Sequence, residues 1–318
     1  MVSLNQILEA RERIGSLTQM TPVRYSSYLS ELSNASVYLK LENEQITGSF
    51  KVRGALNRLM TLESDAIARG VITASTGNHG LGVAFAAKEL GINVQVVFPK
   101  EASHTKRERM EQAGAKIIQD VGYADIEPYA RKLADERGLT YVSPYNDPEI
   151  IAGAGTVGLE IVEQLDHFDS VVVPIGGGGL ISGIAIAIKS LRPGAEIIGV
   201  QSEVSPEVYE SWLAGHWVDA EESDSFAQGL MGGVEPDSIT LDIIQERVDR
   251  IDLVHEESIL QAIRLLYEQD GLVIEGAGAA STADLLQRPD QFSGKKVVIV
   301  ISGGNISRAD VLSLINRQ

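Results

Sequence analysis

The segment Val171-Val172-Val173-Pro174-Ile175-Gly176-Gly177-Gly178-Gly179-Leu180-Ile181-Ser182-Gly183-Ile184-Ala185-Ile186-Ala187-Ile188 decides how the chain folds. A short β-branched run reads as a buried strand, four glycines as a loop, and the small and apolar residues that follow as a helix. Ser170 to Ile188 carries no charge and nearly reaches membrane-spanning length. Pro174 and the glycines would leave unpaired backbone groups in lipid, so a buried strand–loop–helix unit is the better reading. One glycine would satisfy a tight turn; four in succession let backbone N–H groups converge. The helix then adds its positive end, making a cradle for an anion that needs no cationic side chain. The Lys-Ser/Thr ending of a nucleotide P-loop is missing, so a nucleoside triphosphate is not required.

Outward from this unit the pattern repeats. Val37–Leu41, Val94–Phe98, Lys116–Gln119, Ile197–Val200 and Val297–Ile301 read as strands alternating with helical patterns. Gly80–Leu90 is one such helix, with Gly91 as its stop. Repeated β-α-β units predict an α/β fold with mostly parallel strands. The cluster Ser143-Pro144-Tyr145-Asn146-Asp147-Pro148 suggests one seam and Glu42–Thr47 a second. No internal repeat or low-complexity tract occurs.

With 318 residues, 27 Lys+Arg against 44 Asp+Glu and a net charge of −17, the chain can bury real cores and would repel a phosphate backbone. Nucleic acid is therefore excluded as a partner. Zero cysteine removes disulfides, thiolate nucleophiles and Cys-type metal sites. The charged amphipathic start, Met1 to Arg13, is no export signal, which predicts a cytoplasmic protein. The acidic run Asp219–Asp224 reads as a solvated loop.

Four other segments could carry or mimic a site. Gly153-x-Gly155-x-x-Gly158 has dinucleotide-fingerprint spacing but follows Pro148 rather than a strand, so it reads as small residues in a tightly packed helix. Lys51, in Thr47-Gly48-Ser49-Phe50-Lys51-Val52-Arg53-Gly54, is set among small and aromatic residues; partial desolvation there would lower its pKa and suit amine chemistry. Thr73-Ala74-Ser75-Thr76-Gly77-Asn78-His79-Gly80 enters a helix with hydroxyls, an amide and free N–H groups; it suits a carboxylate or ring hydroxyl, or is simply an N-cap. Near the C-terminus, Ser302-Gly303-Gly304-Asn305 repeats the strand-into-glycine turn.

Taken together and in order, Ser49-Phe50-Lys51-x-Arg53-Gly54, Ser75-Thr76-Gly77-Asn78-His79-Gly80, Gly176–Gly179 with Leu180, and Ser302–Asn305 closely resemble the serine/threonine dehydratase family. These are fold type II pyridoxal-phosphate enzymes, which include serine racemase. Pro144–Pro148 with Ala152–Thr156, and Glu275–Gly278, extend the resemblance over nearly the whole chain. It implies two open, twisted, mostly parallel sheets flanked by helices, like the tryptophan synthase β fold. Residues 1–42 and 146–318 would form a large cofactor-binding domain and 43–145 a small mobile one.

The same resemblance implies pyridoxal 5'-phosphate as cofactor and a small amino-acid substrate. Lys51 would hold the cofactor covalently and move the α-proton, with Phe50 packing by the ring and Asn78 bonding its hydroxyl. Gly176, Gly177, Gly178, Gly179 and Leu180 would hold the phosphate, and Ser302 would face the ring nitrogen. Ser75, Thr76, Asn78 and His79 would bind the substrate carboxylate. The implied reaction is dehydration and deamination of L-threonine or L-serine. The alternatives are another 3-hydroxy amino acid (hydroxyaspartate, phenylserine or a hydroxyectoine-pathway intermediate), serine racemase-like chemistry, or a non-catalytic cofactor carrier.

Several positions depart from the family. Thr76 stands where Ser or Ala is usual; its hydroxyl keeps racemisation open. Cation-binding members carry a glutamate after a strand and an acid six positions on. Here those places are Gln201 and Glu207, with Ser205 between and Glu203 in another register, so no metal ligands are assigned. Gln228–Pro236 also differs from the usual Ala-Asp-Gly stretch, and Ala154 stands where glutamine is common. The family further implies a homo-oligomer, a dimer or tetramer, without a membrane partner.

Overall fold

The computed structural model describes residues 2–100, 104–122 and 125–316. Among these described residues ten strands form two sheets. In chain order they are β1 (Val23–Tyr25), β2 (Ser36–Leu41), β3 (Val71–Ala74), β4 (Val94–Val97), β5 (Lys116–Ile118), β6 (Thr140–Tyr141), β7 (Ser170–Pro174), β8 (Glu196–Ser202), β9 (Arg250–Val254) and β10 (Lys296–Ile301). The larger sheet runs β1-β2-β10-β7-β8-β9 and is parallel except for β1 against β2. The smaller sheet, β5-β4-β3-β6, is parallel throughout.

Both faces of the large sheet are covered, which is why its central strands are continuous apolar runs rather than alternating ones. Along β7, Val172 packs with Leu39, Ile198 and Ile299 on one face. Val171 and Val173 pack with Ile197, Val298 and Val300 on the other, against Ile181, Ile184 and Ile188 of the helix Gly179–Leu191. The small sheet is sandwiched likewise. Val71, Val94 and Val96 meet helices Lys51–Met60 and Asn78–Leu90, and Ile72 and Val97 meet Ile126–Arg137.

All six strands expected from sequence form, within one or two residues at their ends. The helix read from Gly80 starts at Asn78 and stops at Gly91, whose φ of 68° is the left-handed cap a glycine adopts at no steric cost. Pro148 opens a helix to Gln164, with Asp147 as N-cap. The dinucleotide-like glycines lie inside that helix as a packing seam: a Cβ on Gly153 would stand 2.5 Å from the Arg53 carbonyl oxygen, and one on Gly158 2.9 Å from the Ala187 Cβ. The acidic loop is exposed at Glu221, Glu222 and Asp224. Among the described residues no helix is long and apolar enough to cross a membrane.

Candidate active site

The four segments singled out in the sequence meet at the carboxyl ends of β3, β7 and β10, where ligands collect in parallel sheets. Their meeting is fixed by main-chain bonds. Ser49 pairs with Gly303 in an antiparallel bridge. The Phe50 N–H donates to the Ser302 carbonyl at 3.1 Å, and the Gly304 N–H to the Gly48 carbonyl at 2.9 Å. Gly303 permits this approach, since a Cβ there would lie 2.5 Å from Glu275 Oε1 and 3.0 Å from the Ser49 Cβ.

Lys51 is thereby the first residue of the helix Lys51–Met60, with Phe50 as its N-cap. Its Nζ donates to the Pro144 carbonyl at 2.9 Å and lies 5.1 Å from the centre of the Phe50 ring. Burial lowers the amine from its usual 10.5 to about 8. Among the described residues no carboxylate pairs with it, so desolvation disfavours the ammonium form unopposed.

Gly176 to Gly179 follow β7 and open the helix Gly179–Leu191. Among the described residues nothing accepts from the N–H groups of Gly176, Gly177, Gly178, Gly179 or Leu180, although the last three are buried. A buried helix start without partners calls for an anion. Side chains are barred from the loop: a Cβ on Gly177 would fall 2.3 Å from the Tyr145 ring, and Gly178 has φ +83° with Thr240 and Ile244 against it. The Thr240 hydroxyl donates to the Gly177 carbonyl at 2.8 Å and holds the loop from behind.

The asparagine loop opens the helix Asn78–Leu90. The Ser75 hydroxyl accepts from the Gly77 and Gly80 N–H groups at 3.1 and 2.8 Å, so this serine braces the loop. No described residue accepts from the N–H groups of Thr76, Asn78 or His79. The Asn78 amide donates to Glu275 Oε1 at 2.6 Å and accepts from Asn305 Nδ2 at 2.6 Å. His79 turns its ring to the Val142 carbonyl, 3.2 Å away. Burial, aided by the Lys51 charge, pushes its pKa down to about 3, so the ring is neutral. Its Nδ1 and the Ser49 hydroxyl are buried without a partner among the described residues. Ser302 is buried and donates weakly to the Ala277 carbonyl at 3.4 Å.

A desolvated amine, a backbone anion cradle and a buried hydroxyl now stand together, and the family model for pyridoxal-phosphate dependent enzymes matches residues 15–303. The chain belongs to this pyridoxal-phosphate enzyme family. It is 42% identical over its whole length to the L-threonine ammonia-lyase of Thermotoga maritima, covering 79% of that protein. Among solved structures it is similar to a processed threonine deaminase isoform of Solanum lycopersicum, with TM-score 0.92 and 30% identity over 99% of this chain and 94% of that one. It is also similar to maize serine racemase, with TM-score 0.93 and 30% identity over 98% and 96% of the two chains.

Pyridoxal phosphate needs an amine for its aldehyde, a site for its phosphate and a partner for its ring nitrogen. The residues fit: the orphaned N–H groups at Gly176–Leu180 make the anion site, and Lys51 is the desolvated amine. In the sequence, Pro144, Tyr145, Glu275 and Asn305 stand within motifs but carry no assigned role. The structure makes them the supports of Lys51, the glycine loop and Asn78. Arg109, which donates to Asn305 Oδ1 at 2.9 Å and helps line the cleft beside Gly77 and Asn78, carried no signal at all.

Proposed function

We propose that the enzyme eliminates water from a 3-hydroxy amino acid, L-threonine or L-serine, and that the enamine so formed takes water back as ammonia leaves, giving 2-oxobutanoate or pyruvate and one ammonia. The observation that carries this reading is the Lys51 amine, desolvated to a pKa of about 8 beside a backbone anion cradle. The 42% identity to an L-threonine ammonia-lyase over the full chain supports it.

In this reading Lys51 Nζ would be the attachment point for the cofactor and, as a free neutral amine, the base that takes the proton from the substrate Cα. When bound, the cofactor supplies an electron sink for that carbon. The N–H groups of Gly176–Gly179 and Leu180 would hold its phosphate, and Phe50 would pack against the ring. Asn78 bonds the ring hydroxyl, held in place by Glu275 and Asn305. Ser302 would offer a neutral hydroxyl, rather than a charged group, to the ring nitrogen. The N–H groups of Thr76, Asn78 and His79 take the substrate carboxylate, with Ser75 fixing their loop. The neutral His79 ring anchors the loop to Val142 rather than moving a proton.

We read residues 43–145 as a small mobile domain closing on a large one formed by 1–42 and 146–318. We also read the enzyme as a cytoplasmic homo-oligomer. A second activity is favoured by one observation, the half-buried Thr76 at the mouth of the asparagine loop in a chain shaped like a serine racemase. Its hydroxyl could return a proton to Cα and racemise serine.

A panel of L-threonine, L-serine, 3-hydroxyaspartate and phenylserine tests both readings. Oxo-acid release with equal ammonia from threonine or serine is expected. Loss of optical activity without ammonia marks the racemase, and no turnover of any member by cofactor-loaded protein refutes the ammonia-lyase.

A further inference from the structure

The end of β8 is where the family resemblance implies a divalent cation, and the residues there do not fit one. Gln201 is neutral, and its side-chain carbonyl already accepts from the Tyr209 N–H at 2.8 Å. Glu203 is turned away to His255, at 2.5 Å. Glu207 is 6% exposed, and its Oε1 accepts from Trp217 Nε1 at 3.0 Å and from the Val234 N–H at 3.1 Å. Its other oxygen rests on Gly233, whose φ is +62° and where a Cβ would lie 2.1 Å away. The Ser205 hydroxyl donates to Glu222, which also accepts from the Gly232 N–H at 3.2 Å. A hard cation of this kind wants several oxygen ligands, carboxylates above all. Here the first carboxylate is an amide and the second is occupied by N–H donors.

We propose that Glu207 takes over the cation's place as an internal brace, so that the enzyme is independent of divalent metal. Glu207 is a positioning residue for the phosphate cradle. It ties Val234 to the helix Glu207–Ala214, and the Trp217 indole closes the knot by donating also to the Val234 carbonyl at 3.0 Å. The next residue, Glu235, gives its N–H to Tyr145 Oη at 3.0 Å. Gly177 lies against the Tyr145 ring, and Gly179 against the Tyr145 backbone and Cβ. Two departures from the family thus form one device around Glu207: an amide at Gln201, and Gly232-Gly233, which makes room for the carboxylate.

The proposal rests on the pyridoxal-phosphate reading only through its last link, so two measurements separate them. Holoenzyme purified without added metal is assayed for bound metal and melted by tryptophan fluorescence with EDTA, then with Mg²⁺, Ca²⁺ or Mn²⁺. Substoichiometric metal and midpoints within about 1 °C of one another are expected. A stoichiometric cation, or a midpoint lowered by EDTA and restored by one of the three ions, would overturn the brace and point to Glu207 with Glu222 as ligands.

The second measurement is cofactor affinity by equilibrium titration. Glu207→Ala should weaken it about tenfold and Glu207→Gln less than about twofold, because one carbonyl oxygen can still take both N–H groups. Should the alanine protein not fold, Trp217→Phe, which deletes one donor and keeps an aromatic ring, should weaken binding about threefold. Wild-type affinity in a folded alanine variant or in Trp217→Phe refutes the brace, whereas failure of the wild type to bind the cofactor refutes the proposed function instead.

Discussion

The backbone N–H of Phe50 donates to the carbonyl of Ser302 at 3.1 Å, locking the entry of the Lys51 helix onto the end of β10. The lysine therefore starts from a fixed main chain, and only its side chain need move between cofactor and substrate. Lys51→Ala should keep the fold, because the bridge beside it uses backbone groups of Ser49 and Gly303. It should lose the visible absorbance of bound cofactor and drop oxo-acid release by about a thousandfold or more. Absorbance and turnover retained by that variant would remove the lysine from the chemistry.

The lowered Lys51 pKa has a direct kinetic reading. Only the neutral amine attacks an aldehyde, so capture of pyridoxal phosphate by the apoprotein should speed up as pH rises, with a midpoint near 8 rather than 10.5. The sign is the same for stability. Burial penalises the ammonium form, so this group's contribution is least favourable below about 8 and improves as pH climbs toward the unfolded value of 10.5. Stopped-flow absorbance on apoprotein between roughly pH 6.5 and 9.5, a span that brackets the lowered value, checks the first statement; a flat profile contradicts it.

Gly177 separates cradle from scaffold. An alanine Cβ there falls 2.3 Å from the Tyr145 ring, whose hydroxyl holds Glu235, so either the loop or the ring must shift. Gly177→Ala should weaken cofactor binding by at least about tenfold and lower the melting midpoint by several degrees, as overpacking by one methyl costs roughly 1–3 kcal/mol. Gly215→Ala, at a loop glycine with φ +71° and open space around it, should cost some stability through backbone strain and leave cofactor binding untouched.

These sites differ in how plainly the sequence announces them. β7 and β10 are legible because both faces of the sheet are buried and each carries an unbroken run of β-branched residues, Val171–Val173 and Val297–Ile301. β9 escapes notice because Arg250 and Asp252 alternate with its apolar residues and pair with each other at 2.8 Å. β1 and β6, of three and two residues, are too short to show a period. The glycine loop declares itself, since four consecutive glycines have few other uses. The Pro144 carbonyl that receives Lys51 cannot, because every residue has a carbonyl, and the pairing of Asn78 with Glu275 spans two separate motifs with no local mark of contact.

Arg53 shows how a motif residue can serve the site without touching it. Two positions after Lys51, it is wholly buried and binds Glu42 at 2.8 and 2.9 Å and Glu160 at 2.6 and 3.0 Å. Lys40 completes the cluster by donating to Glu160. Two cations and two carboxylates balance, and the cluster joins the Lys51 helix to β2 and to the helix Pro148–Gln164. Burial alone would raise the Glu42 pKa, but Arg53 and Lys40 outweigh it and hold the carboxyl below 4.5. A depressed carboxyl contributes stability that is present above its unfolded pKa and lost as pH falls through the folded one, so the wild type should weaken below about pH 4.5. Arg53→Met reverses the sign. It strands a buried carboxylate, costs about 3–5 kcal/mol at neutral pH, and leaves Glu42 with a raised pKa, so the deficit should shrink on acidification as that carboxyl takes a proton. Urea melts of both proteins at about pH 5 and about pH 8 measure this directly. A deficit that is equal at the two pH values would show that Arg53 acts through packing rather than charge.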